Sequence, residues 1–167
     1  MTYFEFSAYL RFLLKSTNAH GVHSPFVFNY VTQCLSSKKK HSKDKSINVL
    51  LNSIAYFSAK SIWIAEGSKA QKIVKKYDSN LIWNTPPFDI LFFEELDKKG
   101  FMTLLSEGKI HNDTIIFINS IYTNPQKHEL WKELINIPGI TVSMDMFHLG
   151  ALSIRKEQLK QHFTIRI

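Results

Sequence analysis

The sequence predicts an α/β protein: one mainly parallel sheet covered by helices on both faces, with antiparallel strands near the C-terminus. Three observations carry this expectation. "FDILFFEE" and "DTIIFINSI" are apolar on both faces, as strands are when helices cover them twice. Amphipathic helical stretches separate the strands, which is the pattern of parallel crossovers. "ITVSMDMFHLGALSIRK" reads as two strands turning near Leu149-Gly150, a hairpin-like end.

The elements follow in order. Phe4, Tyr9, Phe12 and Leu13 give an amphipathic first helix through Lys15. Asn18, Gly21 and Pro25 break it. Ser24 is a good N-cap with Pro25 at the first helical position, so a second helix runs to about Ser37. Residues 37–46, "SKKKHSKDKS", hold five lysines and no large apolar residue, which predicts a solvated linker. No aromatic is interleaved there for base stacking, so no nucleic-acid partner is expected. Residues 1–46 therefore read as a helical segment with a basic linker, and 47–167 as the α/β domain. Within that domain a helix from Ile47 is followed by parallel strands at 61–66, 80–83, 88–94 and 114–120. Helices fill three of the gaps, one with Pro125 at its start. Strands at 140–147 and 150–155 form an antiparallel edge, and "HFTIRI" is a last strand.

Composition bounds the function. A chain of 167 residues is long enough for one domain with a real core and short for two. Its formal charge of +7 is compatible with an anionic partner but defines no site. No apolar run approaches the ~18 residues that span a membrane. The start, Met1-Thr2-Tyr3-Phe4-Glu5, lacks the basic region of a signal peptide. A single cysteine, Cys34, forms no internal disulfide, and a reducing cytoplasm is the simplest compartment. Cys34 shares a helix stripe with Val27 and Val31, the setting of an inert thiol.

"HGVHSPFVFNYVTQCL", "HNDTIIFINSI" and the C-terminal stretch ending "KQHFTIRI" together resemble a bacterial family of class I S-adenosylmethionine-dependent methyltransferases. That family carries an H-G-x-H-S-P-F motif in an N-terminal helical segment and ends in a stretch like "KEHFTIR". The resemblance implies a three-layer Rossmann-like fold, a seven-stranded sheet with a terminal antiparallel hairpin, and S-adenosylmethionine as cofactor.

Four departures from the family pattern fall on one site. The loop after the first strand, "IAEGSKAQ", keeps one glycine, Gly67, where the family has several, and Lys69 brings in a long cationic stem. The acidic residue that would bond the cofactor's ribose is replaced by Trp83 and Asn84. Only Asn84, Thr85, Pro86 and Pro87 separate two strands between which the family places a whole crossover unit; four residues cannot hold a parallel crossover, which needs at least about ten to twelve, so one crossover unit is expected to be missing. The family's acidic pair after its fifth strand is Asn119-Ser120 here, with Tyr122 in place of a histidine.

The expected function is therefore a methyltransferase-like protein with a degenerate cofactor site, a non-catalytic scaffold from which S-adenosylmethionine binding has been lost. The alternative is an active methyltransferase on a small-molecule or protein substrate. If any cofactor binds, the contacts expected are Glu66, Gly67, Ser68, Asn84, Glu94 and Asn119, at the C-terminal ends of the strands. The helix opening at Gly67, with Lys69 beside it, favours a small anion over the full cofactor. Glu94, Glu95 and Asn119 are hard oxygen ligands in type, but helix capping is the simpler reading and no metal is expected. His20 and His23 flank a turn, in structural or capping roles. Tyr122, His128 and His148 are acid–base candidates with no partner evident in sequence. A homodimer is expected through the aromatic N-terminal helices, with Phe4, Tyr9, Phe12, Phe26 and Phe28.

Overall fold

A computed structural model of the chain describes residues 1–18, 21–96 and 98–167. The helices are α1 (Tyr3–Lys15), α2 (Pro25–Asn29, continued by a π-helical segment Tyr30–Leu35), α3 (Lys45–Tyr56), α4 (Lys69–Tyr77), α5 (Lys98–Ser106) and α6 (Pro125–Ile135). The strands are β1 (Ser61–Ile64), β2 (Ile82–Trp83), β3 (Phe88–Phe93), β4 (Ile110–Asn119), β5 (Val142–Asp145), β6 (Leu149–Ser153) and β7 (Gln161–Thr164). Side chains cap the starts of three helices: Ser24, as the sequence predicts, accepts from Val27 N, Asn124 accepts from Lys127 N just before Pro125, and Thr2 with Glu5 forms a capping box.

The seven strands make one sheet in the order β2-β1-β3-β4-β6-β5-β7. All pairs are parallel except the two that β6 makes, with β4 and β5. The strand period of two separates the faces. Ile62, Ile64, Ile90, Phe92, Ile115 and Phe117 face α2, α3 and α4. Leu91, Ile116 and Ile118 face Phe101 of α5 and Trp131 and Leu134 of α6. Cys34 is buried in the first of these layers beside Tyr30 and Ser53, and burial pushes its thiol up to about 11.

Two expectations need correction. The antiparallel hairpin is not the sheet edge. β7 pairs parallel with β5 outside it, in register from Val142↔Gln161 to Asp145↔Thr164. That satisfies the outer hydrogen-bonding groups of β5, and Thr17 in turn bridges to Ile165, tying the two ends of the chain together. The second correction concerns the four-residue link. β2 and β3 lie on opposite sides of β1, both parallel to it, and residues 84–87 alone join them. This is possible because β2 is only two residues long and pairs with the first two residues of β1. The chain therefore crosses the start of β1 without returning along a strand. Asn84, with φ 55°, donates its N–H to Ile62 O at 3.1 Å, and Ser61 Oγ donates to Thr85 O.

Without a helix in that link, the α5 side of β1 is uncovered. Trp63 and Phe93, with ring centroids 4.7 Å apart, line a groove of about 650 Å³ together with Phe88, Leu96 and Leu104.

Gly150 in β6 lies under the Trp131 ring, and a Cβ there would meet Trp131 at 2.6 Å. Both residues are buried between the sheet and α6. Gly150→Ala should cost about 1–3 kcal/mol of stability by overpacking, measured by urea unfolding. An unchanged midpoint would show that Trp131 can move.

Candidate functional site

The loop after β1 is occupied by its own chain. Gly67 has φ 75°, and a Cβ built there meets nothing within 4 Å. The glycine is therefore needed for its left-handed backbone and not for close approach of a ligand. Ser68 caps α4, accepting from Gln71 N at 3.1 Å, while Gln71 Oε1 accepts from Gly67 N at 2.9 Å. Glu94, just past β3, places Oε1 3.4 Å from Ala70 N. A carboxylate thus already lies at the positive end of the α4 dipole, where a small anion was expected. Lys69 does not reinforce that position. Its Nζ is exposed and 3.9 Å from Asp44 Oδ2.

The six residues expected to hold a cofactor divide among three places. Glu66, Gly67, Ser68 and Glu94 cluster around the start of α4, with Glu66 exposed. Asn84 lines the Trp63 groove. Asn119 lines a separate hollow of about 400 Å³ with Ser120, His148 and Asp44. Trp83 has Lys75 Nζ over its ring at 5.3 Å. Glu95 pairs with Lys127 Nζ at 3.0 Å, and the same ammonium donates to Glu94 O. Among the described residues no three His, Cys, Asp or Glu side chains converge as a metal site. His23 is exposed, and His20 lies outside the described residues.

A different cluster has the features of a site. β5 ends at Asp145, which is 4% exposed. Its Oδ1 accepts from Phe147 N at 2.9 Å, an Asx turn that holds Phe147 at φ 65°. Its Oδ2 accepts from Tyr122 Oη at 2.5 Å. Tyr122 comes from the turn after β4, and its ring stacks on His128 at 4.4 Å on one side and Phe147 at 4.9 Å on the other. His162 on β7 joins Ser143 Oγ through Nδ1 at 2.9 Å. His128 Nδ1 is buried with no hydrogen-bond partner among the described residues. Above these groups, α1 and α6 bound a cavity of about 530 Å³ whose lining includes Arg11, Lys15 and Lys132.

Electrostatics follow burial. Desolvation raises the Asp145 carboxyl above its ordinary value, although Tyr122 and Phe147 donate to it. Burial and then the Asp145 charge raise the Tyr122 phenol. Desolvation lowers His128, which is half-buried; His162 and His148 shift in the same direction, but both are exposed and solvent limits the effect there. The cluster thus offers neutral imidazoles and a strong tyrosine–carboxylate bond at the C-terminal ends of β4 and β5, where open α/β sheets place ligands.

The sequence singles out Tyr122, His128 and His148, and the structure brings the first two together ring on ring. Asp145 and His162 went unnoticed. The available signal was the lone charge in "ITVSMDMF", an acid inside an otherwise uncharged, buried strand.

No protein-family model matches the chain, and no curated protein matches it. The fold defines an α/β protein with a mostly parallel seven-stranded sheet, compatible with a Rossmann-like architecture.

Two outcomes follow from this chemistry. Tyr122→Phe leaves a buried carboxylate without its side-chain donor and should cost about 1–3 kcal/mol in urea unfolding. An unchanged stability would show that the bond contributes nothing net. The histidines set the acid limb. Because their folded values are lowered, the unfolded chain takes up protons first as the pH falls below 6.5. Their contribution is complete above that pH and is lost as pH falls through it toward the folded values. Asp145 acts in the opposite sense, losing stability as pH rises from 3.8 through its raised value. Thermal melts should therefore fall between about pH 7.5 and about pH 5, and His128→Gln should flatten that slope. A slope equal to the parent's would remove His128 from the account.

Proposed function

We propose that the chain is a methyltransferase-like protein that no longer binds S-adenosylmethionine and serves as a non-catalytic scaffold. The observation that carries this reading is the filled N-terminus of α4. Ser68, Gln71 and Glu94 answer the backbone N–H groups that a cofactor's carboxylate would use. Two further observations support it. The two-residue β2 and the four-residue link leave no strand or helix to form an adenine floor. The β5–β6 hairpin is the kind of terminal feature that the resemblance implies. The single, buried Cys34 suits a reducing compartment such as the cytoplasm.

The scaffold acts as a homodimer through α1. Phe4, Tyr9 and Phe12 do not form this surface, because they pack within the chain against His128 and Phe147. Phe26 is likewise engaged, by Phe57 and Arg155. Of the expected aromatics only Phe28 stays exposed, on α2; on α1 an outer row at helical spacing remains: Tyr3 88%, Phe6 52%, Leu10 47% and Leu14 88% exposed. A helix apolar on both sides has one side to cover.

Calorimetric titration tests the first part. Neither S-adenosylmethionine nor its demethylated product should bind at about 100 μM, whereas affinity tighter than about 10 μM, near −7 kcal/mol, would show a surviving pocket and favour the active methyltransferase. Light scattering tests the second. A dimer that becomes monomeric in Leu10→Glu/Leu14→Glu is expected, and a monomeric parent at high micromolar concentration would remove the idea.

A further inference from the structure

The charge of the chain is gathered in one stretch. Residues 37–78 hold ten lysines, no arginine and three acids, so they carry +7, and the rest of the chain sums to zero. A free linker would let these charges spread apart, but the fold fixes them. Asn48 Oδ1 accepts from His41 N at 2.7 Å and from Ser42 N at 3.2 Å, and Asp44 caps α3. The His41 ring meets Tyr77, at the end of α4, with centroids 5.0 Å apart. Asp44 Oδ2 lies 3.9 Å from Lys69 Nζ, at the start of α4. The linker therefore runs beside α4 in the opposite direction. Because α4 buries Ala70, Gln71 and Val74, Lys69, Lys72 and Lys76 line its outer side. On the linker, Lys40, Lys43 and Lys45 line a hollow of about 520 Å³.

Among the described residues only Lys69 of these ten lysines makes an ion pair. Elsewhere the surface pairs its cations: Lys98, Lys109, Lys127, Lys132 and Arg155 each meet a carboxylate. Like charges held side by side repel one another in the free protein, and a polyanion laid across them relieves that repulsion. The scaffold reading assigns this face no role.

The side chains select among polyanions. Lysine is a point charge that suits phosphate, whereas the arginine fork, absent here, serves bidentate recognition. Stacking rings hold bases, so their absence from 37–46 bears on base contacts and not on phosphate contacts. A membrane surface is held firmly only when apolar side chains accompany the charge. Of the exposed large apolar side chains described, only Tyr77 lies within 37–78, and its ring meets His41. A nucleic-acid backbone needs no apolar anchor, because counterion release drives its binding. We infer that the linker and α4 together bind a nucleic-acid duplex through its phosphates, without reading its sequence. No bond is made or broken; this is a docking surface.

The probe is a fluorescently labelled DNA duplex of about 24 base pairs, titrated with the full chain and followed by anisotropy. Saturable binding with a Kd below about 100 μM at about 50 mM salt is expected, weakening steeply as salt rises. A duplex RNA of the same length is titrated in parallel, and binding of either duplex in this manner supports the inference. Duplexes of unrelated sequence should agree within about threefold. Lys72→Gln/Lys76→Gln on α4 and Lys40→Gln/Lys43→Gln on the linker should each weaken binding and make the slope of log K against log salt shallower by about 2. Lys99→Gln/Lys156→Gln, the same charge change on other elements, should bind as the parent does. All six positions are exposed, so folding is not at stake. Failure of both duplexes to bind up to about 100 μM overturns the inference. So does a salt slope that either lysine pair leaves unchanged, equal weakening by the Lys99/Lys156 pair, or a stronger preference among sequences. Tighter binding to vesicles of phosphatidylserine and phosphatidylcholine than to either duplex overturns it in favour of a membrane surface.

Discussion

The architecture depends on how the chain passes from β2 to β3. Two parallel strands on opposite sides of a third ordinarily require a long return, because each must begin at the same end of the sheet. Here the requirement is avoided by shortness: β2 makes only the pairs Ser61↔Ile82 and Ile62↔Trp83. Asp89 reinforces the crossing, its Oδ2 accepting from both Lys60 N and Ser61 N. The consequences spread outward. A two-residue edge strand offers little template for pairing with another chain, so one edge of the sheet is protected by brevity. The opposite edge is protected by Thr17, which bridges to Ile165 beyond β7. The cost of the short crossing is the open face at Trp63 and Phe93, which would otherwise be covered by a helix.

The same economy governs the start of α4. A helix N-terminus presents N–H groups that must be satisfied, and a bound anion is one way to do so. A carboxylate from the same chain is another, and it gives up no translational freedom on arrival. Glu94 is fixed at the end of β3, one strand away, so only its side chain has to be ordered. An incoming carboxylate would have to displace Glu94 and Gln71 before making equivalent bonds. Gly67 fits this arrangement, because its positive φ turns the chain into the Ser68 cap while its missing Cβ leaves open space and not a ligand contact.

Much of the fold was legible because it rests on local signals. Two-sided strands such as "DILFF" and "TIIFI" do pair with each other, and Ser24-Pro25 and Asn124-Pro125 do open helices. What the sequence hid was long-range. β4 begins at Ile110, earlier than its apolar run, because Ile110 pairs with Phe88 and Thr114 Oγ1 donates to Phe88 O at 2.6 Å. The place of β7 outside β5 follows from pairing, not from any residue within "QHFT". The expected site fared similarly. Glu66, Gly67 and Ser68 are neighbours in sequence and remain so, but Asn84 left them because the crossing over β1 turns it toward the α5 face. Tyr122 and His128 met for a local reason, lying six positions apart across the start of α6, whereas Asp145 reached them only through the sheet order.

Asp145 joins two turns of the molecule. Its two oxygens face in two directions, one into the β5–β6 turn and one to Tyr122 after β4. The turn fixes Phe147 in a left-handed conformation that a bulky residue adopts only when its surroundings hold it there. Phe147 in turn is the surface on which α1 rests, through Tyr9 at 4.9 Å and Phe12 at 5.5 Å. The docking of the N-terminal helix therefore runs back to one carboxylate that burial disfavours in its charged form. An apolar residue at position 145 would avoid that desolvation but could accept neither hydrogen bond. The one carboxylate thus bonds both the hairpin turn and the β4–α6 turn, and through Phe147 it adjoins the surface on which α1 packs.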